Sequence, residues 1–466
     1  MKRNVRNICR NENFSLTLHS ELSIRLDLKV RGEEPLKIRH NTETMKRIIL
    51  TAIIIMTGIA GSFAQEPADS ISACSKDSTA TCCADSTEAD SVPSNKPVFT
   101  TVKEIPITSI KDQNRSGTCW DYSTLSFFEC EILKNSGKEY DLCEAFVAWK
   151  TYMDRATMAV RMHGDVSFSQ GGSSYDVLYC LQNYGICPED AMPAAGTLQD
   201  DTLNNFNEFF LVMTPYVEAI AKCEAKKITP RWKVGLKGIL DAYLGEIPEQ
   251  FDYEGKTYTP QEFAASLGLN LDDYVSITSY THHPFYTAFA VEVQDNWRWP
   301  LSYNVPMDEM MDIIDNAIDN GYTVAWGGDV SEEGFTRKGL GIAYDTKAVQ
   351  SLAGSDAAKW LKLTQTEKTS KLDSLGVTAP EVTPTQEMRQ EAYDSWETTD
   401  DHGMLIYGVA KDQTGKEYYL VKNSWGKYGD YDGIWYMTKA FIAYKTMDFL
   451  VNKNAIPKDI RKKLGI

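Results

Sequence analysis

Apolar side chains recur at helical spacing directly behind a cysteine in the first third of the chain. In residues 121–134, Leu125, Phe128 and Ile132 fall on one face of a helix, and this face is predicted to pack into a core. Cys119 stands at the start of that helix, where unpaired backbone N–H groups and the macrodipole stabilise an anion. We therefore expect a lowered thiol pKa at Cys119, whereas an isolated cysteine would more simply be a small buried hydrophobe.

Two apolar runs near the end of the sequence predict neighbouring strands. The first run begins at His402, and the second, residues 418–421, ends just before Asn423. Residues 411–416, between the two runs, have the composition of a turn. His402 and Asn423 are therefore expected on adjacent strands.

A cysteine, a histidine and an asparagine form the set that nucleophilic catalysis by a thiol requires. Cys119 would supply the nucleophile, His402 would exchange the proton, and Asn423 would hold the imidazole tautomer. Gln113, six positions before the cysteine, can donate its side-chain amide to an oxyanion beside the Cys119 backbone N–H. The aspartates at 400–401 either favour the imidazolium form of His402 or point to solvent.

At these residues the sequence resembles the papain-like cysteine peptidases, and within them the bleomycin hydrolase and aminopeptidase C branch. The resemblance runs from about residue 98 to the C-terminus and rests on four separated elements in the family's order. They are Gln113, Cys-Trp at 119–120, His402 and Asn-Ser-Trp-Gly at 423–426. The resemblance implies an α+β papain-like two-lobed fold, in which a helical lobe and an antiparallel β-barrel-like lobe are joined by a helical insertion.

The activity implied by this resemblance is cysteine-type peptide-bond hydrolysis through a Cys-His-Asn thioester acyl-enzyme, as an aminopeptidase of the bleomycin hydrolase type. Cys119 would be the nucleophile and His402 the general base and acid. Asn423 would orient the imidazole, Gln113 would complete the oxyanion hole, and Trp425 would cover the His–Asn hydrogen bond. No metal and no organic cofactor is implied.

Substrate contacts are expected from Gly171, Gly172 and Trp425. In the family a Gly-Gly segment lines the cleft and pairs with peptide backbone, for which glycine permits close approach. An ordinary loop before a helix is the alternative interpretation of the Gly-Gly segment.

Composition and pattern divide the chain into six segments. These are an extension ahead of the true start (1–44), a signal peptide (45–64), a flexible Ser/Asp-rich spacer (65–97), a helical lobe with the nucleophile (98–199), a helical insertion (200–300) and a β lobe with the histidine and asparagine (301–466). The spacing from Cys119 to His402 exceeds the roughly 130–150 residues typical of papain-type enzymes, which leaves room for the insertion.

The segment that starts at Met45 and ends at Ala64 has a basic start, an apolar run and a small-residue cleavage site, as secretory signals do. The apolar run is shorter than a membrane span, so we predict a secreted or periplasmic protein without stable membrane insertion. A formal net charge of −17 argues against nucleic acid as a partner. Peptide substrates are expected, and the resemblance implies a hexameric homo-oligomer.

In the branch, a C-terminal arm lies in the cleft and its carboxylate anchors the substrate amine. Here residues 464–466 follow soon after the last predicted helix, so the arm is expected to be shortened. Two alternatives then stay open. Either an acidic residue of an insert anchors the substrate amine, or the enzyme acts as an endopeptidase. A Cys-His acyltransferase or amidase and a non-catalytic binding protein are also compatible with the same fold.

Overall fold

The computed structural model describes residues 96–192, 203–345, 348 and 363–466, and the backbone of two further strands. Those strands, β1 (Leu16–His19) and β2 (Ser23–Leu26), pair antiparallel within a unit formed by residues 1–89. The predicted signal peptide (45–64) and nearly all of the spacer (65–97) lie outside the described residues. The second unit, residues 90–466, contains every predicted site residue.

Eleven α-helices are described. They are α1 (Cys119–Ser136), α2 (Glu144–Arg161), α3 (Ser174–Asn183), α4 (Asn207–Ala221), α5 (Arg231–Leu244), α6 (Pro260–Ser266), α7 (Met307–Asp319), α8 (Gln365–Leu375), α9 (Gln386–Asp394), α10 (Lys439–Lys445) and α11 (Lys458–Leu464). Within the described part of the chain, no helix has both the length and the apolar character that a membrane span requires.

The strands of the second unit are mostly short. They are β3 (Thr100–Glu104), β4 (Phe251–Tyr253), β5 (Lys256–Tyr258), β6 (Tyr274–Thr278), β7 (Ala288–Phe289), β8 (Ser302–Asn304), β9 (Val324–Gly328), β10 (Phe335–Thr336), β11 (Leu340–Gly341), β12 (His402–Lys411), β13 (Glu417–Lys422), β14 (Ile434–Thr438) and β15 (Thr446–Asn452). All except the β4–β5 hairpin join one sheet in the order β10-β11-β14-β13-β12-β9-β15-β6-β8-β7, and β3 also pairs with β12. The β11–β14 and β6–β8 pairs are parallel, so the sheet is mixed rather than wholly antiparallel.

The longest strand, β12, connects the functional parts of the sheet. On one side it pairs with β13, and on the other it pairs first with β9 and then with β3. His402 lies opposite Gly328 of β9, and Leu405 lies opposite Lys422 of β13. The predicted pair of adjacent strands is therefore present, and Asn423 follows directly on β13.

Alternate residues of the central strands point into two different cores, as the period of two in a strand requires. Met404 and Ile406 pack with helices α7, α10 and α11, whereas Leu405 packs with α1, α2 and α3. Helices thus cover both faces of the sheet, which explains why β12 is apolar at consecutive positions. The helix that carries Cys119 lies on the second of these faces.

The predicted helical insertion, residues 200–300, is helical only in part. Helices α4 and α5 pack on α2 through a separate apolar core that includes Tyr152, Phe209 and Leu240. Strands β6 and β7, which lie later in the same segment, join the main sheet. Strand β6, with the sequence YVSIT, has the composition of a strand, whereas the two residues of β7 are too few to show a period.

Candidate active site

The start of α1 lies directly against the start of β12. The backbone N–H groups of Trp120 and Gly403 lie close enough to the sulfur of Cys119 to lower its pKa. Gly403 directly follows His402, so this contact brings the predicted nucleophile to the predicted base. The approach depends on glycine, because a Cβ at residue 403 would stand 2.7 Å from the Ser123 Oγ and 3.2 Å from the Cys119 carbonyl oxygen.

Asn423 holds the imidazole of His402 in one orientation. The Nε2 of His402 lies 2.8 Å from the Asn423 Oδ1, and the same Oδ1 accepts the Ser424 backbone N–H at 2.8 Å. The second contact identifies this atom as the amide oxygen, so Nε2 is the nitrogen that carries the hydrogen. In the neutral ring, Nδ1 then keeps the lone pair with which His402 can accept a proton.

The loop of Gln113 is fastened to the loop that follows Asn423. The Gln113 backbone N–H donates to the Ser424 carbonyl at 2.8 Å, and the Ser424 hydroxyl donates to the Gln113 Oε1 at 2.7 Å. The Gln113 Nε2 donates to the Ser116 carbonyl at 2.7 Å. This bond uses one of the two amide hydrogens, and the other remains for an oxyanion, so the predicted role of Gln113 stays a prediction.

Trp425 packs against the imidazole rather than into the cavity. Its ring centroid lies 5.0 Å from that of His402, at an interplanar angle of 38°, and it makes an edge contact with Trp435. Trp425 is not among the described residues that line the cavity. The ring shields His402 from one side, and a direct substrate contact from Trp425 stays a prediction.

Cys119 and His402 line a common cavity of about 210 Å³. Gly171 and Gly172 line it as well, and both have a packing reason to be glycine. A Cβ at Gly171 would stand 1.8 Å from the Asp295 Oδ2, and one at Gly172 would stand 2.8 Å from the Trp120 ring. Substrate pairing by the two glycines remains a prediction beside this steric role.

Burial dominates the pKa of both reacting groups. It raises the pKa of the Cys119 thiol to about 12, and the hydrogen bonds from Gly403 and Trp120 oppose this shift only in part. Burial lowers the pKa of His402 to about 4. The predicted lowering of the thiol pKa is therefore wrong for the unliganded site, because removing the sulfur from water outweighs the backbone N–H groups at the start of the helix. Burial thus favours the neutral thiol and the neutral imidazole over the thiolate–imidazolium pair.

Two functional residues had little or no signal in the sequence. Gly403 could have been noticed as a glycine inside a strand, which often marks close backbone approach. Asp295 enters the cavity from a segment without periodicity, and Arg155 holds it there at 3.0 Å. The aspartates at 400–401 were noticed beside His402, and both line the cavity.

One group among the described residues has the composition of a metal site. The Nε2 atoms of His282 and His283 lie 3.0 and 3.1 Å from the two carboxylate oxygens of Glu292. Both contacts are also ordinary hydrogen bonds, and none of the three side chains lines the catalytic cavity. The chemistry of the cavity itself is carried by a thiol, an imidazole and carboxylates.

Comparison with known proteins gives consistent matches over most of the chain. A family model described as Peptidase C1-like family matches residues 58–373 and 381–465. Aminopeptidase G of Lactobacillus delbrueckii subsp. lactis is 22% identical over 405 residues, which cover 79% of this chain and 86% of that protein. Aminopeptidase C of the same organism is 24% identical over 401 residues, which cover 77% and 82%.

A solved structure shares the fold. The crystal structure of PepW from Lactobacillus rhamnosis matches with a TM-score of 0.59 at 18% sequence identity, over 78% of this chain and 84% of that chain. The predicted α+β papain-like fold is thereby confirmed.

Proposed function

The chain belongs to the Peptidase C1-like family, and from this premise we propose that it is a cysteine aminopeptidase that acts through a thioester acyl-enzyme. The observation that carries the proposal is the hydrogen bond from His402 to Asn423 beside the Cys119 sulfur, at one end of a shared cavity. The similar proteins named aminopeptidase G and aminopeptidase C support the choice of an aminopeptidase.

Acylation would begin at the neutral pair. As the Cys119 sulfur attacks the scissile carbonyl carbon, its proton passes to the His402 Nδ1, and the carbonyl electron pair moves onto the oxygen. The Cys119 backbone N–H and the Gln113 amide would stabilise that oxyanion. The thiolate and the imidazolium form together, so each charge offsets the cost of burying the other.

Collapse of the tetrahedral intermediate would break the C–N bond and leave a thioester on Cys119. The imidazolium of His402 gives its proton to the departing amine, which leaves as the shortened peptide. A water molecule then attacks the thioester while His402 accepts its proton. Collapse of the second intermediate releases the carboxylic acid product and returns the proton to the sulfur.

Labelling and turnover test this proposal together. Iodoacetamide should modify Cys119, as located by mass spectrometry of the peptides, and the loss of peptide cleavage should follow the extent of modification. A fluorogenic amino acid amide with a free amine should be cleaved faster than its N-acetylated form. Equal rates on the two substrates would contradict aminopeptidase action and favour an endopeptidase.

An acyltransferase or amidase would use the same three residues. Adding an amine nucleophile during turnover separates these classes, because an acyltransferase should divert most of the acyl group to the added amine. A peptidase should give mainly the free acid, as measured by chromatography of the products.

We also propose that the protein is exported and assembles into a hexamer. The basic start, apolar run and small-residue cleavage site of residues 45–64 support export, and the N-terminus of the exported protein should be Gln65. A mature protein that retains Met1 would contradict this. The hexamer follows from the resemblance to the bleomycin hydrolase branch, and light scattering of the purified protein should give six times the chain mass.

A further inference from the structure

One side of the catalytic cavity is formed by acceptor groups. We call Asp295, Asn296, Asp400 and Asp448, which all line this cavity, the acidic wall. No lysine or arginine is among the described residues that line the cavity. Burial and the neighbouring carboxylates of Asp295, Asp448 and Asp401 raise the pKa of Asp400 well above its usual range. Arg155 pairs with Asp295 from outside the cavity lining, whereas no described lysine or arginine pairs with Asp400.

Two of the carboxylates are held in place through one oxygen only. The Oδ1 of Asp295 accepts hydrogen bonds from Arg155 at 3.0 Å and from Ser169 at 3.2 Å. The Oδ2 of Asp448 accepts the Ser276 hydroxyl at 3.0 Å. In each case the described residues provide no donor for the second oxygen. The protein thus fixes these groups and leaves one acceptor of each open.

Asp400 differs from its neighbour Asp401 in having no hydrogen-bond partner among the described residues. The two oxygens of Asp401 accept the Val330 backbone N–H at 2.9 Å and the Ser331 hydroxyl. No described residue donates a hydrogen bond or forms an ion pair with the half-buried Asp400. When ionised, Asp400 is close enough to the Cys119 sulfur to raise the pKa of the thiol. Asp400 is therefore the open carboxylate of the wall.

Asn296 contributes a further acceptor without a donor. The side chain is 6% exposed, and its Nδ2 donates to the Val291 carbonyl at 2.9 Å. This bond assigns Oδ1 as the remaining atom, which is buried and accepts no hydrogen bond from the described residues. A buried acceptor without a donor is unfavourable unless a ligand supplies one. The buried amide oxygen is a second kind of unpartnered acceptor beside the carboxylates, and an N–H donor of a bound ligand would satisfy it.

We propose that the acidic wall binds an ammonium group of the peptide substrate, next to the bond that Cys119 attacks. An ammonium offers three N–H donors and no acceptor, which complements a wall made only of acceptors. The group is either the α-ammonium of the peptide N-terminus or the side-chain ammonium of a lysine just before the cleaved residue. This proposal rests on the proposed peptidase function, for which it supplies the substrate class.

The test compares Asp400→Asn with Asp401→Asn, which removes the same formal charge one residue away. Asp401 is the matched control because both of its oxygens already have protein donors. Four fluorogenic substrates are used: alanyl-aminomethylcoumarin, its N-acetylated form, and the acetyl-lysyl-alanyl and acetyl-norleucyl-alanyl amides. Thermal denaturation of each variant checks that it is folded.

If the α-ammonium is bound, Asp400→Asn should lower kcat/KM for the free-amine substrate by roughly 10- to 100-fold, the effect of losing a hydrogen bond to a charged group. The acetylated alanyl substrate should change less than about threefold on that scale. If the lysine ammonium is bound, the loss should fall on the acetyl-lysyl substrate and spare the acetyl-norleucyl one. Asp401→Asn should discriminate among the four substrates no more than the wild type does.

Equal changes on all four substrates, or equal patterns in the two variants, would overturn the proposal while leaving the peptidase function intact. Calorimetry with alaninamide and acetyl-alaninamide, using enzyme blocked at Cys119 by iodoacetamide, tests the wall without turnover. Binding of alaninamide that is lost in Asp400→Asn supports the wall even if no substrate is cleaved. A failure of cleavage with such binding would thus reject the peptidase function alone, and absence of alaninamide binding would reject the α-ammonium as the group bound.

Discussion

The two sides of the catalytic cavity differ in how their polar atoms are satisfied. On the catalytic side, the His402 Nε2 and the Asn423 Oδ1 have partners within the protein, although the buried Asn423 Nδ2 has none among the described residues. On the acidic wall, Asp400 and the Oδ1 of Asn296 have none among the described residues. Groups that must keep one geometry during chemistry are held by the protein, whereas groups without partners are available to a ligand.

The largest expected effect is on kcat, from removing the nucleophile, and it should leave ligand binding by the acidic wall unchanged. Replacing Cys119→Ala should lower kcat by at least about 10³-fold, because no other group can form the thioester. The same variant should keep its affinity for alaninamide within about twofold of the wild type, since the wall retains its acceptors. Steady-state kinetics and calorimetry measure the two properties. Loss of both together would show that the two sides are not independent.

Asn423→Ala should have the next largest effect, again confined to the catalytic side. Without Oδ1, the His402 ring loses the bond that orients Nδ1, and a misplaced base costs on the order of 10²-fold in kcat. KM for a free-amine substrate should stay within about twofold, because the acidic wall is unchanged.

Asn296→Ala is the corresponding variant on the acidic wall. It removes an open acceptor of the acidic wall and should raise KM for the free-amine substrate more than it lowers kcat. Steady-state kinetics of both variants on one substrate make the comparison. A rise in KM alone for Asn423→Ala would contradict the division of the cavity.

The catalytic side could be predicted from sequence far better than the acidic wall. The three catalytic residues, Cys119, His402 and Asn423, stand at the ends of elements with strong apolar periodicity. Predicting where these elements begin and end therefore located the residues as well. Asp295 reaches the cavity from an irregular segment, and only the fold brings it opposite Gly171. Long-range packing of this kind leaves no periodic signal in the chain.

The direction in which the pKa of the Cys119 thiol is shifted could not be predicted from the sequence either. A helix start favours a thiolate locally, but the burial of Cys119 depends on strand β12 and on residues of the acidic wall that are distant in sequence. The local pattern predicts where in a helix or strand a titratable group lies. It does not predict how far that group is removed from water, because this depends on residues distant in sequence. The helix boundaries themselves were close, since the helix predicted over residues 121–134 with Cys119 at its start spans Cys119–Ser136.

The pH dependence of stability provides a third test of the catalytic side. Burial lowers the pKa of His402 from an unfolded value of 6.5 to about 4. Between these pH values the unfolded chain binds the proton and the folded one does not, so this contribution to stability is complete above pH 6.5 and is lost as the pH falls toward 4. The free energy of unfolding should decrease by up to about 3 kcal/mol over this range.

Urea unfolding of the wild type and of His402→Gln, measured between pH 4 and 7, isolates this contribution. Glu144 and Asp401, whose pKa values burial raises to about 8 and about 6, act in the opposite direction but are present in both proteins. The difference between the two curves should therefore shrink steadily as the pH falls. Parallel curves would show that burial does not shift the pKa of His402, and a difference that grows as the pH falls would show that the folded imidazole keeps its proton.

The smallest expected effect comes from the contact that joins α1 to β12. In Gly403→Ala the new methyl group would meet the Ser123 Oγ at 2.7 Å and the Cys119 carbonyl at 3.2 Å. Helix and strand should separate slightly, at a cost of about 1–2 kcal/mol in stability and about tenfold in kcat. Urea unfolding and steady-state kinetics on the free-amine substrate measure both losses.

Gly238→Ala is the matched control for this variant, because a Cβ at residue 238 of α5 meets nothing within 4 Å and alanine favours a helix by about 1 kcal/mol. It should be as active as the wild type and at least as stable. Adding Ser123→Ala to Gly403→Ala removes the nearer of the two clashing atoms and should recover part of kcat. If the double variant recovers nothing, the backbone of Cys119 rather than the serine hydroxyl sets the distance between thiol and imidazole, and only glycine at 403 can keep the two groups in reach.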